Sequence, residues 1–218
     1  VDGVILSTVD DQNAESVQLL KNEGIPHVLI NRAPEDYTGY EVRINSYKVG
    51  KLATNYLISL GHKDIAFIGG DRLNSWERKK GYKDALLENG IAFNENRIIM
   101  SHYQTETAYH DMKKIISSGE IPSAIFAASD IMAFGVIKAL LDQGIKVPQD
   151  VSVIGSDNIS FSEDFRVPLT TVDAHSYEIG RLGSELLMNV LKNKEPLEYQ
   201  KILLEPKLIV RESCSLYK

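Results

Sequence analysis

The stretch YLISLGHKDIAFIGG, residues 56–70, holds the unit from which the rest of the chain is built. Its first part closes a helical pattern that opens at Tyr47. Val49, Leu52, Ala53, Tyr56, Leu57 and Leu60 recur at helical spacing and lay one apolar stripe along a helix over 47–60. Ser46 suits the cap at its start, and Gly61 suits a left-handed residue at its end. Soon afterwards Ile65–Ile68 runs apolar without alternation, as a parallel strand covered on both faces does. The stretch therefore reads as helix, glycine stop, buried strand.

The same alternation extends in both directions. Strands are expected at 4–9, 27–30, 42–44, 65–68, 98–100, 124–127, 151–154, 170–173, 201–204 and 208–210. Helices are expected at 107–118, on the stripe Ala108, Met112, Ile115 and Ile116, and at 177–191, on Ile179, Gly183, Leu186, Leu187 and Val190. A helix over 133–143 is apolar nearly all round and belongs deep in the core. Gly24, Gly61, Gly90, Gly119 and Gly144 each stand where a helix should stop. The βα repeat, roughly 25–37 residues long, implies an α/β fold with right-handed crossovers and parallel, doubly wound sheets.

Composition narrows the class. The chain has 218 residues, 43% hydrophobic and 25% charged, the mix of a globular protein with a sizeable core. With Cys214 as its one cysteine, it has no disulfide framework and no zinc cluster. Lys and Arg total 24 against 30 Asp and Glu, a net charge of −6, so these residues alone are a poor match for DNA phosphates. No apolar run reaches the ~20 residues of a membrane span. The opening VDGVIL is no signal peptide and starts directly in a strand, which reads as a trimmed chain with the cytoplasm as its expected compartment.

Ligands of open α/β sheets bind beyond the carboxyl ends of the strands. Those positions hold Ser7-Thr8, Asn31-Arg32, Asp71 to Arg78, Tyr103-Gln104, Ser129-Asp130 and Ser156-Asp157-Asn158. Such a set can hydrogen-bond a hydroxyl-rich ligand, with Trp76 or Tyr103 stacking on a ring face. Ser, Asp and Asn are also cap formers, so the pattern leaves both readings open at each position. No dinucleotide or P-loop glycine pattern, metalloprotease helix or nucleophile elbow occurs, so no cofactor, metal or catalytic residue is expected.

The segments VDGVIL (1–6), IPHVLINR (25–32), YLISLGHKDIAFIGG (56–70), ERKKGYKDAL (77–86), PSAIFAASDIMAFGVIKAL (122–140), VPQDVSVIGSDN (147–158), PLTTVD (168–173) and LIVRES (208–213) occur in one order along the chain. Together they resemble the effector-binding core of the lactose-repressor/galactose-repressor transcription factors. The resemblance implies a periplasmic-binding-protein-like fold of two subdomains, at 1–43 with 173–205 and at 44–172 with 206–218. It also implies that the helix-turn-helix headpiece and the first βα units of the first subdomain precede Val1. A small effector, a sugar or sugar phosphate, would occupy the cleft between subdomains, and DNA would be bound only through the headpiece, by a homodimer. The protein would be no enzyme. An extracytoplasmic sugar-binding protein of a transporter shares the fold and is the alternative.

The resemblance also assigns residues. Arg78 matches the family arginine that grips ligand oxygens, a task suited to a guanidinium fork. Asp157 matches the aspartate that accepts bonds from vicinal hydroxyls. Tyr103 stands where an aromatic stacks on ligand, and Asn74 where some members touch it. Asn31 replaces a usual aspartate. Ser129 replaces a usual asparagine, with a shorter reach that calls for a bridging water. Asp130 reads as a helix cap, and Trp76 as a rim residue.

Overall fold

The computed structural model describes residues 1–7, 15–34, 36–193 and 198–218. In chain order the elements are β1 (Val4–Leu6), α1 (Glu15–Asn22), β2 (His27–Ile30), β3 (Tyr40–Ile44), α2 (Ser46–Ser59), β4 (Ile65–Gly69), α3 (Leu73–Glu88), β5 (Ile98–Met100), α4 (Thr105–Ser118), β6 (Ala124–Ala127), α5 (Asp130–Asp142), β7 (Ser152–Asp157), α6 (Phe161–Asp164), β8 (Thr170–Asp173), α7 (Ser176–Lys192), β9 (Lys201–Leu204) and β10 (Lys207–Ile209). All ten expected strands form. The end of the first, at residues 8 and 9, lies outside the described residues, as does Thr8 of the polar set. All five expected stop glycines, Gly24, Gly61, Gly90, Gly119 and Gly144, adopt positive φ. There a residue with a Cβ would be strained.

The chain divides into two compact units, Val1–Asn45 with His175–Glu205 and Ser46–Ala174 with Pro206–Lys218. The expected crossings at 43/44, 172/173 and 205/206 stand beside observed ones at 45/46, 174/175 and 205/206.

The first unit holds a parallel sheet in the order β1-β2-β3-β9. Val28, Leu29, Val42 and Ile44 are buried in it. Val17 of α1 packs with Leu29 and Ala33, and α7 turns Ile179, Leu186 and Leu187 inward. Glu41 on β3 is a buried acid. It is paired with Lys201 Nζ at 2.8 Å, across the register that sets Glu41 opposite Lys201, and with Arg43 Nε at 3.5 Å.

The second unit holds a six-stranded sheet, β10-β8-β7-β6-β4-β5, parallel except for the antiparallel edge strand β10. Its core includes Phe67 against Phe126 and Tyr82, at ring separations of 5.3 and 5.6 Å. Helix α5 is buried nearly all round, as its composition requires. Helices α2 and α3 cross at two glycines. A Cβ on Gly50 would lie 2.0 Å from the carbonyl oxygen of Arg78, and one on Gly81 2.1 Å from that of Tyr47. The crossing thus sets the depth at which α3 carries Arg78. Gly50→Ala is expected to destabilise the chain by about 3 kcal/mol, the upper range for overpacking, because backbone rather than a side-chain tip must move. Urea denaturation checks this.

His62 ties the C-terminal segment to the amino end of this sheet. Its Nδ1 lies 3.0 Å from Ser123 Oγ, its Nε2 3.0 Å from Ser152 Oγ and 3.2 Å from the Ser215 carbonyl oxygen. The Ser123 hydroxyl donates to the Asp64 carbonyl, so it accepts from Nδ1–H, and the Ser152 hydroxyl, next to Nε2, also reaches the Ser215 carbonyl at 3.4 Å. Burial lowers the His62 pKa, against the opposing pull of the Ser215 carbonyl. Below about pH 6.5 the unfolded chain takes a proton that the folded chain refuses. Stability is therefore full above that pH and falls as pH drops below it. His62→Gln is expected to lose this part of the acid slope, read as the difference between the two pH–stability curves.

Candidate functional site

Strand order identifies the position of a site in the second unit. From β4 the chain passes to β5 on one side and then to β6, β7 and β8 on the other, so the sheet has a switch point between β4 and β6. At such a point the loops leaving neighbouring strands part and leave a crevice. Arg78 spans this one.

Arg78 lies in the second turn of α3, 3% exposed. Its Nη1 donates to the Ala128 carbonyl, beyond β6, at 2.5 Å and to Ser156 Oγ, on β7, at 2.9 Å. It lies 3.6 Å from Asp157 Oδ1. Its Nε is buried without a hydrogen-bond partner among the described residues. A buried orphan donor on a guanidinium is costly and calls for an acceptor. Buried to this degree, Arg78 is not an exposed ion-pair residue.

Asp157 ends β7 in a recess walled by protein, yet 30% of its side chain remains open to solvent. Desolvation pushes its pKa up to about 7, with the Asp130 carboxylate adding to the rise. Arg78 and a hydrogen bond from the Asp130 backbone oppose the rise without cancelling it. Neutral pH therefore finds this carboxyl divided between its two protonation states.

Tyr103 follows β5 with φ of 57°, next to His102 at 50°. Two consecutive non-glycine residues in the left-handed region store strain of about 1–2 kcal/mol each. The turn lays the Tyr103 ring against Gly70, where a Cβ would come within 2.3 Å of it. Gly69-Gly70 thus makes room for a ring and, through Gly70 N–H to Ser75 Oγ at 2.9 Å, joins the loop to α3. The Tyr103 hydroxyl donates to Asn74 Oδ1 at 2.9 Å, and the Arg72 guanidinium lies 4.4 Å from the ring centroid. Burial raises the Tyr103 pKa, with Arg78 and Asp157 both near enough to influence it. Trp76 stands 49% exposed, in keeping with a rim position.

One expected residue has another engagement. Ser129 is the cap of α5, its Oγ accepting from Met132 N–H at 3.2 Å. Asn31 belongs to the first unit, at the carboxyl end of β2, with φ of 65°, a conformation Asn tolerates better than most residues. Asp130 corrects the sequence reading: Ser129 does the capping, and the buried Asp130 carboxylate is a hub. It accepts from Ser162 Oγ at 2.6 Å, Thr171 Oγ1 at 2.5 Å and Ile159 N–H at 3.0 Å. Burial raises its pKa, and those hydrogen bonds hold the rise down. Nothing in the sequence marks the Ala128 carbonyl and Ser156 hydroxyl as partners of Arg78. A main-chain acceptor leaves no trace in a residue pattern, and Ser156 was legible only as one member of a polar loop.

Among the described residues no group of acidic, His or Cys side chains is arranged to hold a metal ion, and no helix is long and apolar enough to cross a membrane. Two α/β units, one of them with an arginine–carboxylate pair at a switch point, define the class of ligand-binding α/β proteins. The chain belongs to the periplasmic binding protein-like domain family, whose model matches residues 54–214. Within it, the chain corresponds to the effector-binding core of the lactose-repressor/galactose-repressor regulators. It is 36% identical to the HTH-type transcriptional repressor PurR of Vibrio atlanticus over 98% of this chain and 64% of that protein. It therefore spans 64% of the length of such curated relatives. Among solved structures, the complex of the transcriptional regulator CelR with cellobiose matches at 31% identity and a TM-score of 0.89, over 98% of this chain and 66% of that one. A LacI family regulator from Enterococcus faecium with bound ribose matches at 27% identity and a TM-score of 0.89, over 100% and 81%. These relatives are repressors and regulators, not enzymes.

Proposed function

We propose that this chain is the sensor of a cytoplasmic transcriptional repressor, and that Arg78, Asp157, Tyr103 and Asn74 take a small polar effector, a sugar or sugar phosphate. The observation that supports this most directly is the buried, unpartnered Nε of Arg78 beside a recessed carboxyl. An effector oxygen would accept from Nε, vicinal hydroxyls would donate to Asp157, and Tyr103 would cover an apolar ring face. Asn31 and, through a bridging water, Ser129 complete the set. The bound sugars of two structural relatives fit the same chemistry.

The effector would favour one conformation of the sensor over another. That differential affinity shifts the population, and a homodimer passes the shift to helix-turn-helix segments on DNA. The repressor relatives favour this reading over a transporter component, because their match extends over 98% of the chain. A thermal-shift screen of sugars, sugar phosphates and purines tests it. A ligand that raises the melting temperature of the wild type but not of Asp157→Ala is the expected result. One that raises both equally binds elsewhere and overturns the assignment.

A further inference from the structure

A second cavity, of about 800 Å³, opens within the first unit, at the amino ends of β2 and β3. The candidate site described above lies at the carboxyl ends of strands in the second unit. The new cavity draws its walls from Lys21 and the turn after α1, from His27, from Tyr37 to Tyr40, and from Val190 and Tyr199. It is a size that takes small molecules. Its walls are aromatic. Tyr40 meets Tyr199 edge to face at 5.3 Å, and His27 and Tyr37 stand tilted at 6.4 Å. Tyr40 is buried, while Tyr199 is two-thirds exposed and leaves ring surface uncovered.

The polar groups are few, and the charged ones are one cation, Lys21, and one acid, Glu198. Burial raises the pKa of Tyr37 to about 12 and that of Tyr40 upward as well, so both phenols stay protonated. Lys21 Nζ sits 5.2 Å from the Tyr37 ring centroid and makes one long hydrogen bond, 3.4 Å, to the Thr38 carbonyl. No described carboxylate lies within ion-pair distance of it. Glu198 is the one acid in the lining and comes from the segment before β9. Lys21 comes from the β2 side, two strand positions away. A flat ring among the tyrosines, with an anion turned to Lys21 and away from Glu198, matches the rings and the cation of this lining.

We propose that this cavity is a second ligand site, separate from the Arg78–Asp157 site, and that it takes an aromatic carboxylate. The test is calorimetry on the full chain with 2-naphthoate and its uncharged analogue 2-naphthamide. The naphthoate binds about 10-fold tighter or more, the scale of one charge-assisted hydrogen bond. Lys21→Gln abolishes that preference, and Tyr199→Ala weakens both ligands about 10-fold. Neither side chain is part of a packed core, so both variants fold, and circular dichroism verifies it. Asp157→Ala leaves naphthoate binding as it was. No binding at millimolar ligand, equal binding of the two ligands, indifference to Lys21→Gln or Tyr199→Ala, or loss in Asp157→Ala each overturns the proposal.

Discussion

Asp157→Asn is expected to stabilise the free chain at pH 8 while weakening its hold on the effector. The carboxyl at this position has a pKa pushed up to about 7 by burial, with the buried Asp130 carboxylate adding to the effect. The sign follows from proton counts. Between about pH 4 and pH 7 the unfolded chain has released the Asp157 proton and the folded chain has kept it. Over that window stability falls with rising pH, by at most about 1.4 kcal/mol per pH unit for one proton. Above pH 7 both states are ionised and the cost is fully present. An amide carries no charge, so the variant lacks this part of the slope. The gain at pH 8 is about 2 kcal/mol, because the partly open side chain is screened by solvent. Urea titrations at pH 5 and pH 8 measure it: the two proteins should differ little at the lower pH and clearly at the higher.

Effector affinity should move the other way, falling about 10- to 100-fold, since the amide cannot accept two charge-assisted bonds from vicinal hydroxyls. In the wild type, binding strengthens from pH 6 to pH 8 as the carboxylate form becomes available. Calorimetry in buffers of different ionisation enthalpy should show proton release. A chain that loses stability on Asp157→Asn at pH 8, or binds its effector better at pH 6, contradicts the account. A group that burdens the empty protein and serves the loaded one is the usual compromise of a binding site.

The fold was readable because its signals are local and repeated. Buried parallel strands such as Ala124–Ala127 need no partner to declare themselves, and Gly61 or Gly119 marks a helix end by its own conformational freedom. Helix α6 escaped because four residues carry no periodicity. The site was legible in outline because the carboxyl ends of strands are known from the strands themselves. Its wiring was not. Asp130 looks like a cap in sequence, since an acid at a helix start usually is one. Only the approach of Ser162 and Thr171, 32 and 41 residues further on, makes it a hub. Likewise nothing local to Arg78 foretells that its guanidinium meets a carbonyl 50 residues away. Contacts of that range follow from packing, and packing follows from close crossings such as Gly50 against the Arg78 backbone.

Arg78→Met is the second large effect, and it separates binding from folding. Methionine fills much of the same volume but removes every donor. The Ala128 carbonyl and Ser156 hydroxyl lose a partner, and Asp157 loses the cation that restrains its pKa. Breaking a buried pair from one side costs about 3 kcal/mol. Part of that cost is recovered because Asp157 can take up a proton instead of remaining charged and unpaired. Effector binding per folded molecule should drop about 100-fold or more, as both the fork and the orphaned Nε donor are gone. Ser156→Ala provides the comparison. It removes one acceptor of the same guanidinium while leaving the charge, so it should cost about 1 kcal/mol of stability and far less affinity. If the two variants lose affinity in proportion to their lost stability, Arg78 only braces the ends of β6 and β7. If Arg78→Met loses binding out of all proportion, measured by calorimetry well below its melting temperature, the guanidinium meets the effector directly.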